Sequence, residues 1–103
     1  MLTKKQQEII IEKFKPLNPT RIGVFGSYAR NEENKRSDID LLYSTTSDVS
    51  FYDRMRLKFE LTKLLEKKID LGPFDAIKDS VKDSILKDAV TFYKLENAKS
   101  RTE

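Results

Sequence analysis

The stretch "FGSYARNEENKRSDIDLLY", residues 25–43, connects the end of one apolar run to the start of the next. Gly26 and Ser27 end the first run, and Asp38 and Asp40 open the second. Glycine lets a backbone approach a phosphate closely, and a helix that starts after it offers free N–H groups. Side chains at i and i+2 of a strand share a face, so the two carboxylates repel unless a cation lies near them. The stretch therefore suggests a phosphate-binding turn beside a cation site.

Each half of this stretch also has an ordinary explanation. The two aspartates could lie on a solvent-facing strand surface, paired with Arg36 or Lys35. A glycine-serine pair is a common turn in which the serine only caps the next helix. Neither half is specific without the other.

A third carboxylate strengthens the cation interpretation. Asp70 lies in "IDL", which repeats the local pattern around Asp40, and it joins the first two aspartates if its strand pairs beside theirs. Three carboxylates on one patch favour Mg²⁺, and two such ions can clamp the attacking and leaving oxygens of phosphoryl transfer. Arg30 follows Ser27 by one helical turn, so it would neutralise phosphate charge, pair with the aspartates when metal is absent, or remain a solvated helix residue.

Periodicity along the chain predicts an α/β (α+β) fold: a small mixed sheet of three to four strands flanked by helices. Thr3 and Gln6 have capping-box spacing at the start of the first helix, and Asn31 is suited to a left-handed cap. We predict a single domain over 1–95 and a frayed tail over 96–103. The predicted helices are 3–17, 27–31, 51–68 and 76–88, and the predicted strands are 21–26, 37–44, 69–74 and 89–94.

Composition restricts the chemistry. The chain has 103 residues with 20 basic and 17 acidic side chains, a mixed balance that does not favour a dedicated nucleic-acid binder. It has no cysteine and no histidine, so disulfides, thiolate zinc sites and histidine-based catalysis are excluded. Catalysis would have to use carboxylates, lysine, tyrosine or bound metal. Because no apolar run is long enough for a membrane span, we expect a cytoplasmic protein.

The combination of these motifs resembles a known superfamily. Gly26-Ser27, ten residues, and then Asp38-x-Asp40 is similar to the signature of nucleotidyltransferases of the polymerase-beta superfamily. "GSYAR" followed by "SDIDLL" resembles the minimal nucleotidyltransferase (MNT) branch, over roughly residues 21–93. One departure is Asn31, where the family often has glycine, and asparagine preserves the cap.

The resemblance implies a polymerase-beta-like fold and a reaction. ATP would bind as its magnesium complex, with two Mg²⁺ ions, and AMP would pass to a tyrosine of a HEPN-domain ribonuclease toxin, which makes the chain an antitoxin. Asp70 stands where the family's third carboxylate is expected. The implied metal-binding and catalytic residues are Asp38, Asp40 and Asp70, and the implied nucleotide-binding residues are Gly26, Ser27 and Arg30.

Other functions remain open at the level of sequence. The chain could silence a toxin simply by covering it, or it could modify a small molecule such as an aminoglycoside or a nucleotide. A homo-oligomer is also possible, because the apolar residues of 89–94 suit an interface as well as a core.

Overall fold

A computed structural model describes residues 1–76, 83 and 87–95. It contains a four-stranded mixed sheet with the strand order β3-β2-β1-β4. Within the described residues the helices 4–14 and 51–65 pack on the sheet, so the predicted fold class is confirmed. The elements are α1 (Lys4–Phe14), β1 (Pro19–Phe25), β2 (Ile39–Thr45), α2 (Phe51–Leu65), β3 (Ile69–Pro73) and β4 (Val90–Lys94), with 3₁₀ turns at Lys15–Leu17 and Phe74–Ala76.

Helix α1 begins with the predicted capping box. The Thr3 hydroxyl accepts from the backbone N–H of Gln6, and the Gln6 side chain accepts from the backbone N–H of Thr3. Both bonds satisfy donors that a helix start leaves without partners. The helix passes into the 3₁₀ turn that contains Pro16, and Asn18 at φ 56° then turns the chain into β1.

Helix α2 has an equally clear start and end. The Ser50 hydroxyl accepts from the backbone N–H of Asp53 at 3.0 Å. The helix ends at Leu65, three residues before the predicted end, because Glu66 adopts the left-handed conformation at φ 55°. Leu57 and Leu61 are buried on its inner side.

The sheet combines antiparallel and parallel pairing. Strand β1 is antiparallel to both β2 and β4, whereas β2 and β3 run parallel. A parallel pair needs a crossover connection, which α2 supplies between β2 and β3. The strand predicted at 89–94 is confirmed as β4, an edge strand in the described part of the sheet.

The core lies between the two helices and one face of the sheet. Alternate residues of β2 and β3 point into it, and Phe14 of α1 packs on Tyr43 with a ring-centroid distance of 5.4 Å. Leu64, which helical periodicity predicts on the apolar side of α2 together with Leu57, Leu61 and Leu65, is 49% exposed instead. The largest side chains with less than 2% exposure are Phe14, Ile10, Ile22, Ile39, Leu41, Leu61, Ile69 and Val24.

Two predictions fall mainly outside the described residues. Most of the helix predicted at 76–88 and the whole tail predicted at 96–103 lie there. Among the helices that are described, none is both long and apolar enough to cross a bilayer.

Candidate active site

The candidate site lies where β1 ends and where β2 and β3 begin. Strand β1 aligns Phe25 opposite Asp40, so Gly26 leaves the sheet directly beside that carboxylate. Strand β3 aligns Asp70 with Asp40 in parallel register. Neighbouring strands are about 4.8 Å apart, so side chains in register on one face lie next to each other. The sheet thus brings together the glycine-serine turn and the third carboxylate, as the sequence predicted.

Residues 26–31 form a compact hydrogen-bonded turn. The backbone N–H of Arg30 donates to the Gly26 carbonyl at 3.1 Å, and that of Glu32 donates to the Ser27 carbonyl at 2.8 Å. The short helix predicted at 27–31 is therefore wrong in type, since Asn31 at φ 61° stops the chain before a regular helix forms. The left-handed Asn31 itself was predicted correctly.

The turn keeps donors available at its start. Within the part of the chain that the structure describes, neither the backbone N–H nor the hydroxyl of Ser27 donates a hydrogen bond. Ser27 is only partly buried. Both groups can therefore receive an anion such as a phosphate oxygen.

Gly26 is required for two reasons. Its φ of 75° lies in the left-handed region, where a side chain is strained. A Cβ at this position would also lie 2.6 Å from Oδ2 of Asp40, closer than atoms tolerate. The Asp40 carboxylate therefore lies directly against the turn, which joins the two halves of the motif into one site.

The three aspartates affect one another electrostatically. The pKa of Asp40 is raised from 3.8 to about 6, first by partial burial and then by the charge of Asp70, a hydrogen bond with Asp70 and the charge of Asp38, against the opposing effect of Lys68. Asp38 lies one residue before β2, which starts at Ile39 and not at the predicted residue 37. The predicted convergence of Asp40 and Asp70 is therefore present, and Asp38 lies at its edge.

The donor atoms suit a hard divalent cation. Carboxylate oxygens are the ligands that Mg²⁺ prefers. Burial is the main cause of the raised pKa of Asp40, and a cation would relieve the repulsion by Asp70 and Asp38 that adds to it. Residues 1–76, 83 and 87–95 nevertheless contain no group of three or more acidic, histidine or cysteine side chains already gathered around one metal position. The site fits magnesium by its chemistry, whereas the carboxylates are not yet in a coordinating arrangement.

Within the described residues Arg30 makes no ion pair with Asp38, Asp40 or Asp70, so the expected pairing with these aspartates is not present. Its Nε donates to Glu32 at 3.0 Å, and its Nη1 lies 3.5 Å from Asp88. The Arg30 side chain is 46% exposed, so these pairs are weak and a phosphate could replace them. The assignment of Arg30 to phosphate binding stays a prediction.

Two lysines at the site were missed by the sequence analysis. Lys58 of α2 lies 3.7 Å from Oδ1 of Asp70, and Lys68 lowers the pKa of Asp40 against the other influences. Lys68 precedes Asp70 by two residues, so strand alternation could have placed both on one face. The contact of Lys58 depends on how α2 packs along β3, and no local pattern indicates it.

Comparison with known proteins assigns the chain to a family. The family model described as the nucleotidyltransferase domain matches residues 4–92. The chain belongs to this family and is a minimal nucleotidyltransferase domain protein. It is therefore an enzyme of the nucleotidyltransferase class.

Two curated relatives have more specific names. A Methanocaldococcus jannaschii protein named "Putative protein adenylyltransferase" is 44% identical over 70 residues, which span 68% of this chain and 75% of that protein. The protein adenylyltransferase MntA of Thermococcus cleftensis is 30% identical over 95 residues, spanning 87% of this chain and 96% of MntA.

Solved structures confirm the fold. The chain matches a toxin-antitoxin crystal structure with AMP-PNP at a TM-score of 0.77 and 18% identity, covering 96% of this chain and 79% of that one. It also matches a structure of a tri-AMPylated Shewanella oneidensis HEPN toxin in complex with its MNT antitoxin, at a TM-score of 0.73 and 16% identity. There the match covers 96% of this chain and 78% of the other.

Proposed function

We propose that the protein transfers AMP from ATP to a tyrosine hydroxyl of a HEPN-domain toxin, in a magnesium-dependent reaction, and thereby acts as an antitoxin. The observation that carries this proposal is the register of Asp40 with Asp70 beside Gly26. The closeness of these two carboxylates to the Gly26-Ser27 turn supports the assignment of metal binding and phosphate binding to one site. The names of the relatives and the toxin complexes among the structural neighbours support the choice of AMP and of the partner.

The proposed reaction gives each residue a role. The acceptor oxygen attacks the α-phosphorus of ATP, an O–P bond forms, and the bond to the bridging oxygen of pyrophosphate breaks. Gly26 and Ser27 hold the β- and γ-phosphates through the turn, and Arg30 adds positive charge. Asp70 accepts the proton of the attacking hydroxyl, with Asp40 beside it.

Magnesium would be held by the same carboxylates. Asp38, Asp40 and Asp70 supply the oxygen ligands, and bound Mg²⁺ would neutralise charge on the triphosphate and on the departing pyrophosphate. Because the chain has no histidine, a carboxylate is the natural proton acceptor.

The test measures transfer of labelled AMP. The purified chain is incubated with α-labelled ATP, Mg²⁺ and the HEPN-domain protein proposed as its partner, and label on the partner is quantified. Asp38→Asn and Asp40→Asn should each lower the rate by about 10³-fold, because each removes a metal ligand. Asp48→Asn, at an exposed aspartate outside the cluster, should transfer at the wild-type rate.

Three outcomes would count against the proposal. Near wild-type transfer by the Asp40→Asn variant would remove the assignment of the site. If the chain still hydrolyses or exchanges ATP but no label appears on the partner, the assignment of the HEPN-domain protein as the acceptor is wrong. If both aspartate variants still neutralise the toxin in cells, the protein acts by covering its partner.

A further inference from the structure

The outward side of α2 carries large apolar side chains that do not contribute to the core. Phe51, Tyr52 and Phe59 are 69%, 70% and 69% exposed, and Met55 is 37% exposed. Residues 51, 55 and 59 recur every four positions, so they form one stripe, and Tyr52 lies beside it. We call these four residues the α2 face.

The α2 face is large for so small a domain. Three aromatic side chains and a methionine at this exposure present on the order of 400–500 Å² of apolar surface. Patches of that size on a single chain are often functional, whereas isolated exposed apolar residues are ordinary. Leu64 is such an isolated residue, 49% exposed on the same helix but away from the stripe.

The α2 face borders the candidate site. Lys58 lies next to the stripe on the helical surface, and its ammonium is 3.7 Å from Oδ1 of Asp70. Asp70 belongs to β3, the last strand on that side of the described sheet. A molecule that covers the α2 face therefore reaches the edge of the sheet at which Asp70 lies.

The charges around the α2 face are basic on both sides. Lys58 flanks the stripe toward the sheet, and Arg56 and Lys63 flank it on the other side, at 100° of rotation per residue. Glu60 lies farther round the helix, where it pairs with Lys13 of α1 at 3.7 Å and with Arg56 at 3.3 Å, so Lys63 is the flanking cation that makes no ion pair within the described residues. This surface is complementary to a segment whose apolar side chains are flanked by carboxylates.

We propose that the α2 face is the docking surface for the acceptor protein, which presents apolar side chains flanked by acidic ones. Docking there places the acceptor hydroxyl at the Asp70 edge of the site. This inference rests on the proposed function, because it names the surface that selects the acceptor for the same reaction.

The test separates docking from chemistry. The double variant Phe51→Ala/Phe59→Ala truncates the stripe, and Leu64→Ala is the matched control on the same helix. Calorimetric titration with the HEPN-domain protein, without ATP, gives the Kd, and AMP transfer gives KM and kcat. We expect the double variant to raise both Kd and the KM for the acceptor at least tenfold, with kcat within twofold of wild type. Leu64→Ala should change none of these.

A charge variant tests the chemistry of the partner. Lys63→Glu should raise Kd severalfold, and added salt should weaken wild-type binding more than it weakens binding by this variant. All substituted positions are exposed, so circular dichroism should show folded variants.

Each remaining result decides the matter. Unchanged Kd and KM in the double variant overturn the proposal. A wild-type dimer that becomes monomeric in the double variant, with unchanged Kd for the partner, shows that the face joins two copies and also overturns it. If the wild-type chain binds the partner without transferring AMP, and the double variant loses this binding, the proposed function is refuted but the docking surface is supported.

Discussion

The two faces of strands β2 and β3 differ in what they contribute. On one face Ile39, Leu41 and Ile69 are essentially fully buried against the helices. On the other face Asp40 and Asp70 are only partly buried and lie in register with each other. The pKa of Asp40 is raised to about 6, so this carboxyl loses its proton less readily than a solvated aspartic acid does. The alternation of a strand thus separates stability from chemistry within a few residues. The face with Asp40 and Asp70 would perform catalysis, and its carboxylates lower the stability of the fold when no cation is bound beside them.

The largest expected change in stability comes from the core face. Leu41→Ala removes a side chain that is 1% exposed and should lower the free energy of unfolding by about 2–5 kcal/mol. Transfer by the folded fraction should remain near the wild-type rate, because the carboxylates point the other way. Urea denaturation and AMP transfer at low temperature measure the two quantities. If AMP transfer falls by more than the fraction of unfolded protein accounts for, the core face also contributes to the reaction.

Gly26 lies against the Asp40 carboxylate, so a substitution there should change both the free energy of unfolding and the rate of AMP transfer. Gly26→Ala places a side chain at φ 75° and a Cβ 2.6 Å from Oδ2 of Asp40, so it should cost about 1–2 kcal/mol of stability and displace the carboxylate. Transfer should fall strongly. Gly72→Ala is the control, because its Cβ would make an ordinary 3.7 Å contact with Leu42. Equal behaviour of the two variants would refute the special role of Gly26.

Local signals predicted the parts of the fold and site that depend on local physics. The capping box at Thr3, the left-handed Asn31 and the alternation around Asp40 are all set by neighbours in sequence, and all three are present. The pairing of Asp70 with Asp40 was predicted from a repeated pattern, and the parallel register confirms it.

Other features depend on contacts that no short pattern encodes. The ion pair between Lys58 and Asp70 follows from how α2 packs against β3. The exposure of Leu64 follows from the same packing, since helical periodicity alone places it near the apolar side. The absence of a helix at 27–31 reflects competition between Asn31 and helix propagation, which needs more residues than this segment has.

The face of β2 and β3 that carries Asp40 and Asp70 should affect the free energy of unfolding in a pH-dependent way. The pKa of Asp40 is raised from 3.8 to about 6, so the folded chain binds this proton more tightly than the unfolded chain does. Its stabilising contribution is complete below pH 3.8 and is lost as the pH rises through about 6. After allowance for solvent screening we expect about 1–2 kcal/mol.

Asp40→Asn isolates this effect. In EDTA the variant should be more stable than wild type at pH 8 by about 1–2 kcal/mol, and the difference should disappear near pH 4. Urea denaturation across this range is the measurement, with Asp48→Asn as the control that shows no such trend. Mg²⁺ added at pH 8 should stabilise wild type and have little effect on Asp40→Asn. A difference that does not change with pH would contradict the electrostatic origin.

The smallest expected effect is that of replacing Lys58, the lysine of α2 that pairs with Asp70. Lys58 and Asp70 are 35% and 47% exposed at a separation of 3.7 Å, so their ion pair contributes less than about 1 kcal/mol. Lys58→Met keeps the length of the side chain and removes its charge, which leaves Asp70 without this partner. The variant should bind Mg²⁺ more tightly, because an ammonium and a metal ion compete for the same carboxylate, and isothermal titration can measure this. Weaker Mg²⁺ binding by the variant would show instead that Lys58 holds Asp70 in the orientation that coordination needs.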